Sequence, residues 1–237
     1  GLLDQLGEKD LDFLRRGVEM NMALAEYGLA HAPGHGVGAG LAALQREDGM
    51  QRDMERTAQI WTAAAADARM AGVDLPVMSS AGSGNNGLTA VLPIRAVQQS
   101  LAAPEERLWR AVCLSHLINA MIKAHLGRLS AVCSCSVAAG SGAAAGIAHL
   151  LDGDSEAISA AVINVVEDLA GVLCDGAKPA CALKLATAAG SAVRSARLAL
   201  RGVRIPSSEG IAGDSLEKTL HHLGRLGKMG FTQLNRA

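Results

Sequence analysis

The chain has 237 residues, enough for one large domain with its own core and no need of disulfide staples. Hydrophobic residues make up 49% and charged ones 19%, and alanine and glycine carry the excess, so helices packed closely through small side chains are expected. A net charge of −1, no basic run and 2% aromatics remove the electrostatic footprint and stacking platforms of a nucleic-acid binder.

Residues 8 to 30 are predicted helical, because Leu11, Leu14, Val18, Met22, Ala25 and Leu29 recur at three- and four-residue steps. Pro33, Gly34, Gly36, Gly38 and Gly40 then break the pattern around His35, which reads as a surface loop histidine. A second helix is expected from about Glu47 to Met70, with Met54, Ala58, Trp61 and Ala65 on one face and Arg52, Glu55 and Arg56 toward solvent. In residues 75 to 93, Gly82, Gly84 and Gly87 permit tight or left-handed turns, while Ser79, Ser80, Ser83, Asn85 and Asn86 supply hydroxyls and amides. A helix starting near Asn86 would aim its unpaired N–H groups into this loop and make a cradle for a carboxylate or phosphate. The loop is neither a Walker sequence nor part of a strand-led dinucleotide fingerprint.

From Pro104 a long helix is expected, with Glu105 and Glu106 at its positive end and Leu108, Val112, Ser115, Ile118, Ile122 and His125 on one stripe. Cys113 reads as a core thiol, and His116 and His125 as hydrogen-bonded core or edge histidines. The uncharged run from Leu129 to Leu151 is long enough to cross a bilayer. Its small residues and His149 mark it instead as a buried central helix, so no membrane association is expected. A turn at Asp152–Asp154 leads to a helix over 155–172, facing inward with Ile158, Val162, Val165, Val166 and Leu169. Glu167 and Asp168 oppose the dipole at its end, which suggests a functional or hydrogen-bonding duty. A helix over 182–200 and an amphipathic tail over 216–229, with His221 and His222 on the surface, complete an all-α, compact multi-helix domain with Gly-rich loops spanning 1–237.

Four of the five cysteines form two pairs, Cys133-Ser-Cys135 and Cys174-Asp-Gly-Ala-Lys-Pro-Ala-Cys181. Gly140 and Gly142 follow the first pair, and Gly171, Gly176 and Pro179 surround the second. Soft thiolates on bendable chain suit a metal or an iron–sulfur cluster, whose sulfurs also take backbone N–H donors. An odd, clustered set without a secretory leader is no disulfide framework, so a reducing cytoplasm is the expected compartment. A four-thiolate zinc site built by Cys133, Cys135, Cys174 and Cys181 is an alternative, although zinc pairs usually read Cys-x-x-Cys.

These strings, with Ser80-Ala-Gly-Ser-Gly-Asn-Asn-Gly-Leu-Thr-Ala-Val-Leu-Pro93 and Gly127-Arg-Leu-Ser130, resemble the alpha-chain fold of bacterial iron–sulfur L-serine dehydratases. The likeness is closer to the sister group of L-cysteine desulfidases and covers the chain from about residue 10. It implies a helical fold and a [4Fe-4S] cluster held by three cysteines, with one iron left for a β-substituted amino acid. Loss of water from L-serine, or of hydrogen sulfide from L-cysteine, would give aminoacrylate and then pyruvate and ammonia. Cys135, Cys174 and Cys181 match the ligand positions, with Cys133 competing with Cys135. The gap from Cys174 to Cys181 is shorter than in dehydratases. The chain begins with Gly1, and family members carry a preceding segment that contributes to the active site. The cluster, not pyridoxal phosphate, is the implied electrophile, and the likeness leaves a homodimer open. Lys178, if burial lowers its pKa, and His125 are candidate bases at Cα, with Glu167 a further one. A degenerate relative that binds an amino acid without turnover is the third reading.

Overall fold

The structure, a computed structural model, describes residues 2–47, 49, 53–127 and 130–230. Nine α-helices are found among them: α1 (Glu8–His31), α2 (Val37–Glu47), α3 (Met54–Met70), α4 (Gly84–Leu101), α5 (Glu105–Leu126), α6 (Val137–Leu150), α7 (Ser155–Leu169), α8 (Cys181–Ala199) and α9 (Leu216–Arg225). A short 3₁₀ turn precedes α1 and a π turn follows α9. No strand forms among the described residues, only the isolated bridges Ser80–Ser83 and Val132–Leu173. The fold is all-α, as the periodicity predicts.

Helices α3 and α6 are the two hubs. The first packs against α1, α2, α4 and α8, the second against α4, α5, α7 and α8. Small residues make these crossings close. A Cβ at Gly28 of α1 would stand 2.0 Å from the Ala64 carbonyl oxygen, and one at Gly38 of α2 would stand 2.4 Å from the Ala64 nitrogen. On α6, a Cβ at Gly142 would come within 2.5 Å of Ser115 O and one at Gly146 within 2.6 Å of Ala111 O, so α5 lies directly on its backbone. Fully buried Leu24, Leu88, Leu92, Ile147 and Leu185 fill the space between, each contributing about 2 kcal/mol by removal from water.

Several boundaries differ from the sequence reading. The glycine-rich segment after α1 is a loop only as far as Gly36. Gly34 and Gly36 take positive φ, and α2 starts at Val37. Its first turn is capped from another helix, because Oδ2 of the buried Asp67 accepts from Gly38 N at 2.9 Å. Helix α3 starts at Met54 rather than near Glu47, with the Asp53 side chain accepting from Arg56 N; the expected solvent-facing Arg52 lies outside the described residues. Helix α4 runs through Pro93, although proline removes one ladder bond. Its neighbours enclose it from Gly84 to Ile94. Helix α6 starts at Val137, not near 129; Ala131–Val132 forms bridge and bend, and Leu129 lies outside the described residues. The acidic pair closing α7 has hydrogen-bonding duties. Glu167 accepts from Ile211 N at 2.6 Å, and Asp168 accepts from Ser191 Oγ and Arg194 on α8.

Candidate active site

Two loops separated by α6 and α7 are stitched together where the cysteines lie. Cys133 N donates to Val172 O and Cys174 N to Ala131 O, both at 2.7 Å, on either side of the Val132–Leu173 bridge. In this antiparallel pairing residues 131, 133, 172 and 174 share one face, which brings Cys133 and Cys174 side by side. Cys133 lies within electrostatic reach of both Cys174 and Cys135, and Cys135 also feels the charges of Cys174 and Cys181. All five cysteines are free thiols. The sequence-remote pairs therefore meet in one corner of the molecule.

The electrostatics grade the thiols. The Cys133 hydrogen bond, with help from Ser83, pulls the Cys135 thiol below its ordinary range against the opposing effect of burial. Donation to Cys135 pushes Cys133 up, and donation to Cys133, with burial, pushes Cys174 up. Ser136 Oγ donates to Cys133 Sγ at 3.4 Å, and Lys178 N donates to Cys181 Sγ at 3.4 Å. Lys184 donates to Leu173 O and to Asp175, within electrostatic reach of Cys133 and Cys181.

Helix α4 delivers the polar loop to the same corner. Ser80 and Ser83 exchange backbone hydrogen bonds of 3.0 and 3.1 Å around Ala81 and Gly82, which both have positive φ. Ser83 then caps α4 through Asn86 N, and its Oγ stands 3.9 Å from Cys135 Sγ. Gly87 has no room for a side chain, since a Cβ would lie 1.8 Å from Met78 O. Lys123 closes the loop from α5 by donating to Ala81 O at 2.8 Å.

The expected loop residues divide by role. Ser83 faces Cys135, and Asn86 accepts from Ser134 Oγ at 3.4 Å. Ser80 is buried and bonds inward to α5. Asn85 turns to α3, with Arg69 Nη1 donating to its Oδ1 at 2.9 Å and its own amide on Met70 Sδ. Ser79 and Gly82 are exposed. Two participants escaped the sequence reading. Arg69 brings a guanidinium over the start of α4, where a Cβ at Gly84 would stand 2.4 Å from its Nε. His116, read as an ordinary core or edge histidine, reaches Ser80 Oγ through Nδ1 at 2.7 Å. Its register on α5, three residues before Asn119, was the available signal.

Of the candidate bases, Lys178 lies in the cysteine loop itself, while His125 and Glu167 sit on α5 and α7. Lys178 is 56% exposed and ion-paired to Asp175 at 3.1 Å, not buried. His125 packs under Gly224 of α9, and Glu167 is committed to the loop at Ile211. Lys184 and Lys178 hold the exposed Asp175 carboxyl well below the usual carboxylate range.

Among the described residues no three His, Cys, Asp or Glu side chains surround a common point as ligands of one metal ion do. A cluster makes a different demand, one thiolate per iron and N–H donors to sulfur. Free thiols from two loops, the Lys178 amide on Cys181 and serine hydroxyls on Cys133 and Cys135 fit that demand. No helix among the described residues is long and apolar enough to cross a membrane.

Known proteins resemble this chain over nearly its whole length. Residues 3–237 match the serine dehydratase alpha chain family. A UPF0597 protein of Desulfatibacillum aliphaticivorans is 55% identical over 235 residues, covering 99% of this chain and 54% of that protein. One from Desulfotalea psychrophila is 52% identical over the same shares, and one from Clostridioides difficile is 46% identical over 97% of this chain and 54% of its own length. The chain thus spans about half the length of the curated relatives it matches. This chain, with its all-α frame, belongs to the serine dehydratase alpha chain family.

Proposed function

We propose that this chain supplies the cluster-holding and substrate-seating part of a β-eliminating lyase acting on L-cysteine or L-serine. The observation that carries the proposal is the joining of the two cysteine loops through the Val132–Leu173 bridge, with Ser83 Oγ, at the start of α4, 3.9 Å from Cys135 Sγ. Cys135, Cys174 and Cys181 would hold a [4Fe-4S] cluster, and Cys133 is the spare thiol between two of them. When bound, such a cluster supplies a Lewis-acidic iron for the leaving β-hydroxyl or β-thiol.

The chain's own residues do the rest. Ser83 and the N–H groups opening α4 take the substrate carboxylate, with the Arg69 guanidinium adding positive charge on the side of Gly84. Asn86 and Ser134 hold the floor between that seat and Cys135. Gly87 lets the chain turn into the helix at contact distance from Met78, which fixes the seat against the core. Lys178, His125 and Glu167 each have other commitments, so this reading gives none of them the Cα proton.

Oxygen-free reconstitution of the complete protein with iron and sulfide tests the proposal. Expected are bound iron with a broad visible absorption, and pyruvate from L-cysteine with hydrogen sulfide, or from L-serine without it. Cys135→Ser, Cys174→Ser and Cys181→Ser should each lower retained iron severalfold, and Cys133→Ser much less. A colourless protein that binds no iron and forms no pyruvate sinks it.

A further inference from the structure

One line of polar contacts runs from the cysteine loop into α5, and its direction can be worked out. Ser134 Oγ donates to Asn86 Oδ1 at 3.4 Å, and Asn86 Nδ2 donates to Asn119 Oδ1 at 3.3 Å. Asn119 therefore turns its amide group to Ser80 Oγ, at 2.7 Å. That oxygen has accepted one hydrogen and still carries its own. Its other side-chain neighbour is His116 Nδ1, also at 2.7 Å. The Ser80 proton goes to Nδ1, so the imidazole is neutral and carries its hydrogen on Nε2. Burial disfavours the doubly protonated ring, since Nε2 is enclosed without a partner and a cation would bury a second N–H.

We propose that His116 is a positioning residue for the substrate loop, acting as an obligate acceptor at Nδ1. Every donor–acceptor step between Ser134 and His116 points the same way, and the imidazole is where the series ends. Were Nδ1 to carry a proton, Ser80 Oγ would accept from both His116 and Asn119, and its own buried hydroxyl hydrogen would be left without an acceptor among these side chains. That loss would loosen Ser80, which pairs with Ser83 across the turn that sets Ser83 against Cys135. His116 thus holds, from α5, the turn that presents Ser83 to the cysteine corner. This rests on reading the 80–86 loop as the substrate seat.

The experiment uses three variants of the complete, cluster-loaded protein and one labelled wild type. In His116→Asn the carboxamide sits near the position of Nδ1 and can accept from Ser80. In His116→Gln it sits nearer Nε2 and cannot, and His116→Ala removes the acceptor. Expected are amide hydrogen exchange of residues 80–86 about tenfold faster in the Gln and Ala variants, KM for the amino acid raised about tenfold with kcat changed less, and both largely restored in the Asn variant. Nitrogen chemical shifts of labelled His116 should show a bare Nδ1 and a protonated Nε2. A protonated Nδ1, or exchange equal in all three variants and wild type, overturns the proposal. Should wild type turn over neither amino acid, the lyase reading falls, while exchange and nitrogen shifts still decide the role of His116.

Discussion

At the scale of single residues, the loop over the cysteines stores a conformational cost that can be released. Ala81 has φ 46° between Ser80 and Ser83, in the left-handed region where a Cβ is unfavourable by about 1–2 kcal/mol. It is exposed, so no packing offsets the strain. Ala81→Gly should raise stability by about 0.5–1 kcal/mol in urea unfolding, net of the greater freedom of glycine in the unfolded chain; an unchanged or lower midpoint would contradict the strained turn. His116 makes a second residue-scale prediction. Burial lowers its pKa from 6.5 to about 4. Between those values the unfolded chain binds the proton and the folded chain does not. The stabilisation is therefore complete above pH 6.5 and lost as pH falls toward 4, by about 3 kcal/mol in all. Unfolding at pH 7 and pH 4.5 checks this, and the difference should shrink in His116→Asn. Sequence alone could not grade His116 above the other six histidines, because its distinction lies in Ser80 and Asn119, 36 residues away and one helical turn along.

At the scale of elements, helix identity was legible where apolar residues kept a 3.6 period, as in α1, α5 and α7, and failed where glycine did two jobs. Around α2, Pro33 and four glycines read as one break. In the structure Gly34 and Gly36 make the turn, while Gly38 and Gly40 lie inside a helix. Local propensity could not separate them, because the capping carboxylate comes from Asp67 and the close contact from Ala64, both on α3. The two helical glycines should respond to alanine with opposite signs. At Gly38 the new Cβ would meet Ala64 backbone at 2.4 Å, and the shift of α2 needed to relieve it should cost about 1–3 kcal/mol. At Gly40 there is nothing within 4 Å, so alanine should stabilise by about 0.5–1 kcal/mol through helix propensity alone. Thermal melts of the two single variants decide it, and a shared sign would mean that α2 does not lie on α3 as described. The same logic explains the late start of α6. Its small-residue run continues upstream to Ala131, but Ala131 O accepts from Cys174 N and Cys133 N donates to Val172 O, which holds these residues extended against the 172–174 segment.

Taken whole, the molecule separates what holds it together from what it uses. The hubs α3 and α6 are sealed by alanine, glycine and leucine and need no metal to be stable, as expected of a chain this long. The cysteine corner is different. Two loops meet there through one isolated bridge, Cys174 is exposed, and the nearby Lys178–Asp175 and Lys184–Asp175 pairs lie on the surface, where ion pairs add at most about 1 kcal/mol. Sequence showed that four thiols come in pairs; their convergence depends on the bridge between Val132 and Leu173, which no local pattern encodes. Such a corner belongs to the low-stability end of the fold and should open locally without global unfolding. Iron bound there would add its binding free energy to the closing of the two loops, about 4 kcal/mol when free ligand is a thousandfold above Kd. Removing iron from the loaded protein with a chelator should therefore speed amide exchange in residues 130–136 and 172–181 by orders of magnitude. Amides of α3, α4 and α6 should keep their protection, and the helical circular dichroism should persist. Loss of protection in α3 together with the cysteine loops would show instead that the metal is part of the core, as it is in small zinc-dependent domains. Cys174→Ser supplies the control, because without that thiol the loops should exchange fast whether or not iron is offered.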